Sequence, residues 1–167
     1  MILREVWSDD MGIEEFADTV NDFCKREYGA GQTYEDIGDP AGRARAMTDE
    51  RSCYDILSSK GIYATEAETN ALLPRLESVK RQLSKNPKGK SKVIIDPRCH
   101  RLIDGFSGGY KYKERGNAGT HADTPDKNKY SHIHDALQYV ALNLFGISEV
   151  NAKVWNDPLP RLQTGIF

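Results

Sequence analysis

The chain has 167 residues, 38% of them hydrophobic, a mean hydropathy of −0.64 and a formal net charge of −2. That length suits one domain with a real core. The composition excludes a uniformly basic nucleic-acid binder, and no apolar run approaches the roughly 18–20 residues that span a bilayer.

The first residues, Met1 to Trp7, lack the long apolar core and small-residue cleavage site of a signal peptide. Cys24, Cys53 and Cys99 are scattered and odd in number, which favours reduced thiols in a cytoplasmic setting over a disulfide framework. The charge is unevenly spread. Residues 1–79 carry 8 basic and 17 acidic side chains, net −9, and residues 80–167 carry 15 and 8, net +7. Such asymmetry fits a basic face beside an acidic one, or ordinary surface charge on two halves of one fold.

In chain order, Met1–Trp7 reads as a strand. Ser8, Asp9 or Asp10 can cap a helix carrying Ile13, Phe16, Ala17, Val20, Phe23 and Cys24 at helical spacing, ended by Gly29 and Gly31. Thr33–Ile37 is a short strand. Pro40 forces Asp39 into extended geometry, so Asp39 should finish that strand and enter a turn. Thr48 or Asp49 would cap a helix through Tyr54, Ile56 and Leu57, stopped by Gly61, with Ile62–Ala64 as the next strand.

Thr65–Ser84 reads as a long helix with Leu72, Leu76, Val79 and Leu83 on one side, kinked or restarted at Pro74. Lys85–Lys90 is a breaker-rich basic loop. Val93–Ile95 is a compact buried strand, Cys99–Asp104 a short helix, and Tyr110–Lys113 an alternating strand. Gly116–Lys129 reads as loop. Ser131 would cap a last helix with the stripe Ile133, Ala136, Leu137, Val140, Ala141, Leu144 and Phe145. The tail after Gly146 is extended. Strands alternating with helices indicate an α/β fold.

Two carboxylates stand out. Asp39 lies in Gly38-Asp39-Pro40-Ala41-Gly42, at the carboxyl end of a strand, where ligand and catalytic residues gather in α/β sheets. Asp before Pro is also ordinary turn chemistry. Asp135 borders the apolar residues Ile133 and Ala136, so it faces partly inward, where a carboxylate needs a metal or a basic partner. Carboxylates from distant segments hold hard cations such as Mg²⁺, and two such cations can clamp a phosphodiester. His132 and His134 flank Asp135 but, two apart, point to different sides of the helix; either could touch a phosphate or assist proton transfer. No zinc spacing is present among the histidines and cysteines. Lys80, Arg81, Lys85, Lys88, Lys90 and Lys92 form one basic set. Lys111, Lys113, Arg115, Lys127 and Lys129 form a second, interleaved with Tyr110 and Tyr112; such residues give phosphate affinity without sequence reading.

Several blocks occur together in order: Gly38-Asp39-Pro40-Ala41-Gly42; Ile95-Asp96-Pro97-Arg98-Cys99 with Leu102-Ile103; Gly108-Gly109-Tyr110-Lys111-Tyr112; Pro125-Asp126-Lys127-Asn128; and Ser131-His132-Ile133-His134-Asp135-Ala136-Leu137-Gln138-Tyr139. On these blocks, residues 1–146 resemble the C-terminal nuclease domain of tailed-phage terminase large subunits, with residues 147–167 as a tail. The resemblance implies a ribonuclease H-like fold, a mixed central sheet flanked by helices. It implies Mg²⁺- or Mn²⁺-dependent cleavage of concatemeric double-stranded viral DNA in the cytoplasm of a bacterial host, with the terminase ATPase domain, the small terminase subunit and the portal as partners and no membrane. By position, Asp39 resembles the family's second acidic ligand and Asp135 its third.

The first acidic ligand has no counterpart. Met1–Trp7 resembles the third strand of that fold, so the first two strands and their aspartate are missing; Asp9, Asp10 and Asp36 match no part of that motif. The expected consequences are weak metal binding and one of three arrangements: a rearranged sheet, strands supplied by a second copy, or completion by another polypeptide. A non-catalytic packaging module, binding DNA or packaging proteins through the basic half, is the rival expectation.

Overall fold

The computed structural model describes residues 1–46, 49–84, 89, 92–115 and 120–146. The tail expected at 147–167 and Lys85, Lys88 and Lys90 of the first basic set lie outside them. The described chain is mixed α/β. It runs α1 (Ile13–Tyr28), β1 (Ile37–Gly38), a 3₁₀ turn (Pro40–Arg43), β2 (Arg45–Ala46), β3 (Asp49–Ser52), α2 (Cys53–Ser59), β4 (Thr65–Glu66) and α3 (Leu72–Leu83). Then come α4 (His100–Asp104), a π turn (Gly105–Gly109), β5 (Tyr112–Arg115), β6 (Thr120–Pro125) and α5 (Ser131–Phe145).

The strands pair two at a time. β1 and β4 are parallel, with Ile37 opposite Thr65 and Gly38 opposite Glu66; β2 with β3 and β5 with β6 are antiparallel. Met1–Trp7 was expected to be a whole strand, but it contributes one parallel bridge, Ile2 to Ile95, through Ile2 N–H to the Ile94 carbonyl (2.8 Å) and Asp96 N–H to the Ile2 carbonyl (2.9 Å). Val93–Ile95 is likewise not a buried strand: with one bridging neighbour, Ile94 stays 63% exposed. The strands expected at Thr33–Ile37 and Ile62–Ala64 pair one step later, at Ile37–Gly38 and Thr65–Glu66, and part of the expected loop, Thr120–Pro125, is a strand. No helix among the described residues is long and apolar enough to cross a membrane.

Local chemistry explains the helix ends. Glu14 and Glu15 suit the amino end of α1, and Gly29, at φ 87°, stops it. The amino-terminal cap is Gly12 rather than Ser8, Asp9 or Asp10, because Asp10 adopts a left-handed φ of 59° that breaks the run into the helix. The cap of α2 is Ser52, not Thr48 or Asp49. Ser52 Oγ accepts from Asp55 N–H and the Asp55 carboxylate accepts from Ser52 N–H, a reciprocal capping box. α3 starts at Leu72 rather than Thr65, with Pro74 buried in its first turn, where a missing N–H breaks no intrahelical bond. Ser131 is the first helical residue of α5, not its cap, and its hydroxyl is tied to Asn128 N–H and carbonyl.

The core holds the main surprise. α3 and α5 pack together, and their buried faces carry polar as well as apolar side chains. α3 buries Pro74, Arg75 and Ser78, whereas Leu83 of the expected apolar side is exposed. α5 buries Ser131, His134, Gln138, Tyr139, Ala141 and Leu142, while Val140, Leu144 and Phe145 of the expected stripe face outward. An ion pair, Arg75 to Asp135, runs between the two helices, while Gln138 and Tyr139 find partners in Tyr110 and Asn70, as buried polar groups require.

Candidate active site

Asp39 sits where Pro40 predicts, just beyond β1, extended at φ −65° and ψ 126°. Its Oδ1 accepts from Ala41 N–H at 2.9 Å and caps the 3₁₀ turn. The glycines on either side make room for Tyr54: a Cβ at Gly38 would come within 2.5 Å of the Tyr54 hydroxyl and one at Gly42 within 2.9 Å of its ring. The hydroxyl then donates to the Asp39 carbonyl at 3.0 Å. The Gly-Asp-Pro-Ala-Gly block is thus a seat for Tyr54 that fixes the backbone of Asp39.

Asp135 lies in the second turn of α5, and the basic partner it requires comes from α3. Arg75 Nη1 donates to Asp135 Oδ1 at 3.1 Å, and Lys127 Nζ reaches Oδ2 at 3.4 Å. The Arg75 side chain is 9% exposed and the carboxylate 19%, so the pair is largely out of water and its mutual attraction is little screened. The guanidinium also lies over the Tyr139 ring, 4.5 Å from its centre.

Tyr139 joins the two halves. One helical turn beyond Asp135, it is 4% exposed; its hydroxyl donates to Asn70 Oδ1 at 2.6 Å, and burial first, then the nearby Asp39 carboxylate, push its pKa far above the usual phenol value. Asp39, just beyond β1, and Asp135, on α5, therefore both come near Tyr139, Asp135 by way of Arg75. Sequence reasoning picked out both carboxylates but missed Asn70, Arg75 and Tyr139. One signal was present: Tyr139 lies at i+4 from Asp135, on the same side of the helix.

The donors suit a hard cation by chemistry: carboxylate oxygens from Asp39 and Asp135 and the amide oxygen of Asn70. Mg²⁺ keeps several waters and needs only one or two carboxylates, which is as many as this set supplies. It falls short of a two-cation clamp, because no three His, Cys, Asp or Glu side chains converge among the described residues. Full ligation by Asp135 also requires Arg75 or Lys127 to give way.

The flanking histidines separate. His134 is 3% exposed, stacked on Tyr110 (4.6 Å, 2°) and edge-on to Phe106 (4.7 Å, 75°). Its Nε2 has no hydrogen-bond partner among the described residues and rests against Gly105, where a Cβ would come within 2.0 Å. Burial pushes its pKa down, so it is a neutral core residue with no access to a phosphate. His132 is exposed and stands near Asp9.

Among the described side chains of the second basic set, Lys127 alone touches Asp135. Lys111 and Lys113 are exposed along the β5–β6 hairpin, Arg115 ends β5, and Lys129 lies over the Tyr130 ring, 5.0 Å from its centre. No family model matches the chain, and neither the curated proteins nor the solved structures give a match.

Proposed function

We propose that the chain is a ribonuclease H-like, metal-dependent endonuclease module of a phage DNA-packaging terminase, acting on double-stranded DNA with Mg²⁺ or Mn²⁺. The observation that carries this reading is that Asp39 and Asp135, 96 positions apart, both come near Tyr139, Asp135 by way of Arg75. Asp39, Asp135 and Asn70 would hold one cation, which when bound would activate water and stabilise charge on the phosphate. Ala41 N–H and the Tyr54 hydroxyl fix Asp39, and Lys127 is the cation nearest Asp135 able to meet a phosphate from the solvent side, its side chain being 78% exposed.

The single-bridged strand edge at Ile2 and Ile95 and the outward apolar residues Leu3, Ile94, Val140 and Leu144 support self-association or completion by another polypeptide carrying the missing strands, since unpaired parallel edges and bare apolar faces are normally covered. Sedimentation as a compact monomer that binds no ANS would sink that part of the reading. The packaging partners (ATPase domain, small subunit and portal) follow from the resemblance alone.

A second reading is favoured by a specific observation: both oxygens of Asp135 already face cations of the chain itself. A non-catalytic packaging module needs nothing more. The deciding experiment is nicking of supercoiled plasmid in Mn²⁺, with EDTA, Asp39→Ala and Asp135→Ala as controls. Cation-dependent nicking lost in both variants supports the nuclease. DNA retardation at low salt without nicking supports the binding module.

A further inference from the structure

A second concentration of charge lies near the amino end of α5, which Lys129 and Tyr130 precede. An open cleft of about 420 Å³ is lined by Trp7, Arg101, Lys129 and Tyr130, with Glu5 and Asp104 as its acids. Glu5 is already consumed, its carboxylate accepting from the N–H groups of Arg101 (2.7 Å) and Leu102 (2.9 Å). The Arg101 guanidinium lies over Trp7, 3.3 Å from the ring centre, and its side chain is 13% exposed.

At the edge of this cleft Arg101 presents two nitrogens to one carboxylate: Nη1 to Asp9 Oδ1 and Nη2 to Asp9 Oδ2, both at 3.3 Å. Lys129 and His132 add positive potential around Asp9, and together with the Arg101 contact, which is the largest effect, they hold its pKa below the usual carboxylate value. A two-armed guanidinium suits a phosphate as well as a carboxylate. Asp9 is 65% exposed and precedes Asp10, whose φ of 59° marks a tight bend. The carboxylate thus occupies a phosphate-shaped position from a short, exposed segment.

We propose that Arg101, Lys129 and His132 form a seat for a phosphodiester of single-stranded or frayed DNA, with Trp7 and Tyr130 as stacking surfaces for its bases, and that Asp9 is an internal stand-in which the DNA displaces. Positive side chains that track a backbone beside aromatic rings that take bases are the means by which single strands are held. The position fits the candidate active site. His132 and Asp135 are three apart on α5, so their Cβ atoms lie about 5–6 Å apart, and Lys127 and Lys129, two apart, serve the two places separately. The seat would grip the strand within a nucleotide or two of Asp135. This inference rests on the nuclease reading for its choice of DNA as ligand.

The test measures binding alone, in EDTA, so that it does not depend on cleavage. The chain contains two tryptophans, so a Trp155→Phe background leaves Trp7 as the sole reporter. A fluorescein-labelled 12-nucleotide oligothymidylate is titrated at low salt, following anisotropy and Trp7 quenching together. Binding with quenching is expected. Asp9→Asn should tighten binding about 3- to 5-fold, the effect of one exposed charge. Lys129→Ala should weaken it by a similar factor and reduce the slope of log K against log salt by about 0.7. Both substitutions are at exposed positions and spare Arg101, whose packing on Trp7 serves the fold.

Anisotropy that rises without Trp7 quenching, or unchanged affinity in Asp9→Asn, overturns the seat. Polyglutamate binding as tightly as the oligonucleotide also overturns it, in favour of an acidic protein partner. Plasmid nicking in Mn²⁺ is scored separately: cleavage with no seat leaves the nuclease standing, and a seat with no cleavage leaves only the strand-binding site.

Discussion

Arg75 and Asp135, sixty positions apart, form a 3.1 Å ion pair beneath the ring of Tyr139. The pair decides how α3 and α5 face each other, because neither charge tolerates burial without the other. Arg75→Met should therefore destabilise the chain by about 2–3 kcal/mol. That is less than the roughly 3–5 kcal/mol for breaking a fully buried pair, since Asp135 keeps Lys127 and some solvent. Equilibrium urea unfolding measures it, and a midpoint equal to wild type would show that the pair is incidental. If a cation uses Asp135, the same substitution should also tighten Mn²⁺ binding by removing its internal competitor.

Tyr139→Phe removes the hydroxyl that donates to Asn70, at an expected cost of about 1–1.5 kcal/mol. A pH effect follows too. Burial raises the phenol pKa of Tyr139, as it does for Tyr54, Tyr110 and Tyr112. An unfolded phenol ionises near pH 10, so the unfolded state releases protons first. The stability these phenols contribute is intact below about pH 10 and falls as pH rises through their higher folded values. Tyrosinate absorbance should show phenols that ionise only with unfolding; free titration of all tyrosines near pH 10 would contradict the burial.

His134 gives the opposite limb. Its folded pKa is depressed by burial, so below about pH 6.5 the unfolded state binds the extra proton and stability falls until the folded value is passed. His134→Gln should flatten thermal stability between about pH 5 and 7. A limb of unchanged steepness would assign it to the carboxylates instead. Gly105→Ala, which forces a Cβ onto His134 Nε2, should cost about 1–3 kcal/mol by overpacking.

Asp39 has a structural job whatever else it does. Asp39→Ala loses the Ala41 bond and should cost about 0.5–1 kcal/mol, at the lower end for a helix cap, whereas Asp39→Asn keeps an accepting oxygen and should melt close to wild type. Loss of nicking in Asp39→Asn at unchanged melting temperature would separate chemistry from folding. A melting temperature lowered equally in both variants would place the role of Asp39 in the charge rather than the cap.

Local rules, read directly from the sequence, settle several features of this protein. Pro40 makes Asp39 end a strand, Gly29 stops α1, and the run from Ser131 to Phe145 is a helix, because backbone preference acts within a few residues. The two carboxylates were legible for the same reason. Tertiary structure alone decided which side of α5 turns inward. Hydropathy pointed to Val140 and Leu144, which are exposed, and to Ala141, which is buried beside Leu142; the rest of the buried side is His134, Gln138 and Tyr139, whose partners Tyr110 and Asn70 and the facing Arg75 come from distant segments. Polar groups can be buried only where such partners arrive, and no periodicity within fifteen residues encodes an arginine on another helix.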